Sequence, residues 1–173
     1  MNAITNPMIT PRYPNPKGAH AESLLLPDVM ERYPNLTYFG FGPLNRLGAL
    51  WTPEQFQDQR DNLAAATRRI HDARGWIKEF CAKRRTINKS VTSYDIKHQI
   101  EKYLNTDINH GACIAAFIME GYRVHHTFDW GPNCAFNVSF PPRRRLYHQA
   151  RETGLYLRRR RASANESPNN TEK

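Results

Sequence analysis

Between Gly111 and Met119 the chain carries no charged and no hydroxyl side chain, in a sequence that is otherwise strongly polar. A helix apolar on every side has no face to give to water, so this stretch predicts a core helix enclosed by the rest of the fold. Asn109 suits its N-cap, and Gly121 suits the left-handed position just past its end. Upstream, Phe56, Leu63, Ile70 and Ile77 recur every seven residues, with Gln59, Ala66, Ala73 and Phe80 three positions after each. That is an a/d seam, opened by Thr52-Pro53-Glu54-Gln55, a capping box with proline at the first helical position. A helix from 53 to about 84 would run about 48 Å, longer than one small core covers. The pattern therefore predicts either a break near Gly75 or a partner for the seam. A seam inside the monomer is the first reading, and a homodimer through helix 53–84 is the second.

Thr92 to Asp95 is another cap signal. It opens a helix over 93–104 with Ile96, Ile100, Tyr103 and Leu104 inward, and Lys97, Glu101 and Lys102 outward. After Gly121 the period becomes two. Tyr122, Val124, His126 and Phe128 form one alternating set, Cys134, Phe136, Val138 and Phe140 the next, with a turn at 129–133. This predicts a β-hairpin with one apolar face, His126 in or at the rim of the core, and His125 outward, opposite Asn137. Thr86 to Asn88 is the candidate for one further short strand. The fold class is α+β: a helical domain with a C-terminal two-stranded β-hairpin and disordered termini. The expected organisation is a disordered tail at 1–23, an extended docking segment at 24–50, a globular domain at 51–142, and a basic, then polar, tail at 143–173. Within 24–50, Leu24–Arg32 suits a short helix. Tyr38 to Pro43, aromatic and punctuated by glycine, suits an extended segment laid on the protein's own core or on another chain.

Charge sharpens this picture. The 173 residues carry a net charge of +9, but residues 1–82 hold nine basic and eight acidic side chains and are nearly neutral. The excess sits in two runs: Lys83, Arg84, Arg85 and Lys89; and 143–161, where eight arginines, among them Arg143, Arg144, Arg145, Arg158, Arg159, Arg160 and Arg161, face Glu152 alone. Such runs point to an anionic partner, usually nucleic acid. These eleven named side chains are the candidate nucleic-acid-binding residues. The three cysteines, an odd count at no framework spacing, read as reduced buried thiols. No signal peptide and no membrane span is visible, so a cytoplasmic protein is expected.

Catalytic and cofactor chemistry finds little support. There is no phosphate-binding glycine loop, no dinucleotide fingerprint and no nucleophile elbow. His98, His110, His125 and His126 lack any standard metal spacing, so no metal and no cofactor is assigned. Ser93-Tyr94-Asp95 with Lys97-His98 brings reactive types together, but a helix N-cap accounts for Ser93 and Asp95. No catalytic residue is named.

Helix, short strand, helix, turn, helix and hairpin is an order that resembles a winged helix-turn-helix domain over about 53–140. The resemblance implies DNA binding. The helix in the reading position offers only Asn109 and His110 to base edges, so binding is expected to rest on phosphate contacts with low sequence specificity. The chain is also similar to small proteins of bacterial phages, plasmids and integrative elements. That similarity lies in Arg85-Thr86-Ile87-Asn88, Thr92-Ser93-Tyr94, Lys97-His98, Asn109, Gly111-Ala112, Ile114-Ala115-Ala116, Glu120-Gly121-Tyr122, Pro132-Asn133 and Phe136-Asn137. It covers roughly 85–139 and implies a mobile-element setting without supplying a reaction. The alternative function is a protein-interaction factor, a small inhibitor or adaptor, using the aromatic 33–51 segment or the 56–80 helix seam against an acidic protein surface.

Overall fold

The structure is a computed structural model that describes residues 24–44, 48–126 and 131–140. The expected tails at 1–23 and 143–173 lie outside the described residues. Among those described, the order is α1 (Leu26–Arg32), β1 (Leu36–Thr37), β2 (Gly40–Phe41), α2 (Pro53–Ala65), α3 (Thr67–Phe80), β3 (Ala82–Lys83), α4 (Ser93–Leu104), α5 (His110–Met119), β4 (Val124–His125), β5 (Ala135–Phe136) and β6 (Val138–Ser139). The class is α+β.

Helix α5 is the centre of the fold, and all ten of its residues are buried. Asn109 caps it, its Oδ1 accepting the Ala112 N–H at 2.7 Å, and Gly121 follows with φ 74°. Several elements enclose it. Besides α4 and the hairpin, where Phe117 stacks on Phe136 at 4.4 Å, the helix packs most extensively against α3 and also meets α1 and β2. The 24–44 segment thus packs on the chain's own core through Val29, Tyr33, Leu36 and Phe41. Gly111 shows how tight this is: a Cβ there would run into the Thr37 carbonyl oxygen, and its N–H donates to Tyr38 O.

The helix expected over 53–84 breaks, but at Ala66 rather than Gly75. Ala66 leaves helical geometry (φ −78°, ψ 28°), while Gly75 sits exposed within α3. Two different surfaces require the break. Helix α2 lies on β1, where Gln59 O accepts the Tyr38 N–H, and α3 lies along α5. From Leu63 to Phe80 the seam is buried inside the chain, and only Phe56 and Gln59 at its start are half-exposed. Arg60 fastens α2 to the end of α1, donating to the Met30, Tyr33, Pro34 and Leu36 carbonyls. Met30 O is one of the acceptors that a helix C-terminus leaves unused, and the other three belong to the turn from α1 into β1.

The hairpin pairs Val124 with Phe136 and His125 with Ala135, so His125 faces Ala135 and not Asn137. Phe128 and residues 129 and 130 of the expected turn lie outside the described residues. At Asn137 the second strand changes partner, and β6 pairs with β3 (Ala82 with Ser139, Lys83 with Val138). The extra strand is therefore 82–83, not 86–88, which runs alongside as an irregular edge. The described strands form two-stranded pairs, β1 with β2, β3 with β6 and β4 with β5, and α5 is sealed beneath them.

Candidate nucleic-acid interface

Lys83, Arg84, Arg85 and Lys89 lie on the connector between α3 and α4, and all four side chains are exposed. None forms an ion pair with a described residue. The backbone beneath them is held firmly. Arg84 N–H donates to Asn137 O at 2.7 Å, Asn88 N–H to Phe136 O at 2.8 Å, and Ser93 N–H to Cys134 O at 2.7 Å. Asn88 Nδ2 adds a bond to Val138 O at 3.1 Å. The connector therefore runs along the whole outer edge of β5 and β6.

Asn137 is the hub of this edge. Its Nδ2 donates to Arg84 O at 2.8 Å, and its Oδ1 accepts the Arg123 N–H at 2.6 Å, in a side chain 5% exposed. Arg123, which the charge runs did not single out, reaches across so that its guanidinium donates to Arg85 O, adding a fifth cation to the same edge. The expected residues Arg143, Arg144, Arg145, Arg158, Arg159, Arg160 and Arg161 lie outside the described residues.

The connector leads directly to a second feature. At the N-terminal end of α5 a cavity of about 670 Å³ opens, walled by Tyr38, Phe39, Phe41 and Tyr94, with His110, His126, Asn109 and Asn133 on its lining. Tyr94 is about half exposed. His110 is held from both sides. Nδ1–H donates to Phe39 O at 3.1 Å, which fixes the tautomer, so Nε2 accepts from Ser93 Oγ–H at 2.8 Å. Ser93 Oγ in turn accepts the Cys134 N–H at 3.0 Å. Burial outweighs the Phe39 hydrogen bond and lowers the His110 pKa to about 4, keeping the ring neutral. Ser93 is fully buried, so the pair latches the 38–40 turn, α4 and the hairpin together rather than offering a nucleophile. Thr92 is the cap and Asp95 completes the box, as the sequence predicts, but Ser93, assigned there to the N-cap, points inward.

His126 rests on Phe41 at 4.6 Å and donates from Nε2 to Gly131 O at 2.8 Å. Burial lowers its pKa also, against that hydrogen bond. Lys97 and Glu101, expected outside, are largely buried and paired at 2.7 Å. Burial opposes ionisation of Glu101, but bonds from Lys97 and the Ile108 N–H prevail and hold its pKa below the ordinary range. His98 bonds the other Glu101 oxygen at 2.8 Å. No cluster of three or more metal-binding side chains occurs among the described residues.

Two cavity residues keep an unused polar atom. Among the described residues Asn109, 7% exposed with Oδ1 spent on its cap, has no partner for its Nδ2, and Asn133 Oδ1 is likewise buried and unpartnered. Leaving such a group unpaired costs about 1–3 kcal/mol each. Neither the cavity position of Asn133 nor the inward turn of Ser93 is legible locally, because both depend on contacts between distant elements. No protein-family model, no curated protein and no solved structure matches this chain.

Proposed function

We propose that this protein is a nucleic-acid-binding accessory protein, of the kind mobile elements encode and acting in the cytoplasm, that grips the phosphate backbone along the 83–89 edge. The observation that carries the reading is the pairing of a pinned backbone with unspent charge. Lys83, Arg84, Arg85 and Lys89 are exposed, without a carboxylate partner among the described residues, on a connector tied strand-like to β5 and β6. A held backbone has little main-chain freedom left to lose when its cations meet phosphates, and the released counterions supply the affinity. Arg143 to Arg145 follow the end of β6 at Ser139 by four to six residues, a chain length of at most about 22 Å. They and Arg158 to Arg161 add seven further positive charges to the chain. Sequence discrimination on duplexes is weak in this reading, because buried α5 offers no reading face.

A salt titration on two unrelated duplexes and one single strand tests the reading. With about four to eight phosphate contacts, log K falls by about 0.9 per contact for each tenfold rise in salt. Replacing Lys83, Arg84, Arg85 and Lys89 together with alanine lowers affinity on every duplex alike and flattens that slope. A preference above about a hundredfold for one duplex, lost on replacing Asn109, would show that α5 reads bases. Absence of binding at about 100 mM salt would remove nucleic acid as the partner. It would leave the protein-interaction alternative, for which exposed Leu44 and Leu50, bridged to each other, offer an apolar contact.

A further inference from the structure

We infer that the cavity at the N-terminal end of α5 is a nucleobase pocket, which takes an unpaired base from a strand held along the 83–89 edge. The inference rests on the phosphate-binding reading above and adds a ligand class to it. Three independent features converge on a flat heteroaromatic ligand. The cavity, about 670 Å³, lies in the range of small-ligand sites, and Tyr38, Phe39 and Tyr94 give it aromatic walls. Two of its lining residues carry a buried side-chain atom with no partner among the described residues, a donor, Asn109 Nδ2, and an acceptor, Asn133 Oδ1. The cap bond to Ala112 settles which way the Asn109 amide is turned, so the free atom is the donor. A nucleobase edge presents adjacent acceptors and donors, and asparagine is a natural partner for such an edge.

The third feature is position. The connector passes its cations along β6 and β5 and reaches Cys134 at Ser93, and the next residue, Tyr94, already lines the cavity. From Val138 to Asn133 is about 16 Å of strand, so the charged edge and the pocket mouth lie a few nucleotides apart along one path. A cationic track ending at aromatic rings is the arrangement by which single strands are held, phosphates on the charge and bases on the rings. A duplex keeps its bases stacked inside and cannot fill the pocket without unpairing.

The test uses the full chain and three labelled ligands: a blunt duplex, the same duplex with a three-nucleotide overhang, and the overhang strand alone. Wild type should bind the two ligands with unpaired bases roughly tenfold more tightly than the blunt duplex. A 2-aminopurine placed in the overhang should change its fluorescence on binding. Tyr94→Ala and Asn133→Ala, at partly exposed positions outside the core, should each abolish the preference and the fluorescence change. The quadruple alanine replacement of the basic edge should weaken all three ligands.

Equal affinity for blunt and overhanging duplexes, or a preference that survives both pocket substitutions, overturns the pocket and leaves the phosphate reading standing. If no polynucleotide binds at about 100 mM salt, the phosphate reading falls, and a titration with free adenosine and cytidine decides the pocket. Saturable nucleoside binding lost in Tyr94→Ala keeps it as a site for free nucleosides or nucleotides. No nucleoside binding overturns it as well.

Discussion

Helix α5 and the connector over 83–92 flank the same strand, β5 to β6, and they treat it in opposite ways. The helix spends its side chains on the fold: every one is buried, and even its first turn is tied inward, Gly111 N–H donating to Tyr38 O. The connector spends its backbone on the fold, through Arg84, Asn88 and Ser93, and leaves its charged side chains exposed, Lys83 with its ammonium 5.5 Å over the Tyr122 ring. A substitution in α5 should therefore be read in stability, and a side-chain substitution in the connector in binding.

The sharpest way to break that contrast is a charge in each place. Ala115→Asp would bury a carboxylate where Ala115 is 0% exposed, on a helix enclosed on all sides. The cost should exceed about 4 kcal/mol, enough to remove the fold. Thermal melting checks it, and a midpoint within a few degrees of wild type would mean that α5 is not the core.

A second expectation concerns the latch at the end of α5. His110 is neutral in the folded chain with a pKa near 4, against the ordinary 6.5 when unfolded. As pH falls, the unfolded chain takes up the proton first. Stability present above pH 6.5 is lost on the way to about 4, by up to about 3 kcal/mol. His126, also lowered, adds a smaller contribution of the same sign, and Glu101 adds its own loss at still lower pH. Urea unfolding between pH 7 and 4.5 should show stability rising with pH. His110→Gln should flatten the slope, whereas an unchanged slope would assign it to other groups.

The same contrast governs what the sequence made legible. The sealed helix, its Asn109 cap, the Thr52 and Thr92 capping boxes and the hairpin were readable because each is a local pattern: a period, a cap, a turn. The break at Ala66 was not, because no breaker residue marks it; two differently oriented surfaces, β1 and α5, impose it. The shift of the third strand from 86–88 to 82–83 follows from Asn137, a polar residue in an alternating pattern whose amide bridges two backbones. The charged edge was visible as composition. The cavity was not, since its walls come from residues 38–44, α4, α5 and the hairpin turn.

Asn137 links the two regions and makes the next test. Asn137→Leu removes the bonds to Arg84 O and Arg123 N–H at a buried site, at a cost of about 2–4 kcal/mol. Asn137→Asp keeps the acceptor for Arg123 but loses the donor to Arg84. Both should lower polyanion affinity although neither removes a basic residue, because the edge is no longer held. Unchanged affinity in a folded Asn137→Asp variant would show that the cations act without a fixed backbone.

The smallest expected effect on stability belongs to the charges themselves. Arg84→Ala and Arg85→Ala alter exposed side chains that make no ion pair with a described residue, so unfolding free energy should move by less than about 0.5 kcal/mol. Deleting 143–173 should likewise leave the melting midpoint nearly unchanged. Binding should respond differently. Each lost phosphate contact removes about 0.9 from the slope of log K against log salt. The double variant should flatten it by about two contacts and the deletion by more. Measured together at two salt concentrations, melting and heparin or duplex retention separate the roles. A midpoint that falls in step with retention would mean that the 83–89 edge serves the fold as α5 does. A stable midpoint with lost retention is what unspent charge on a fixed edge requires.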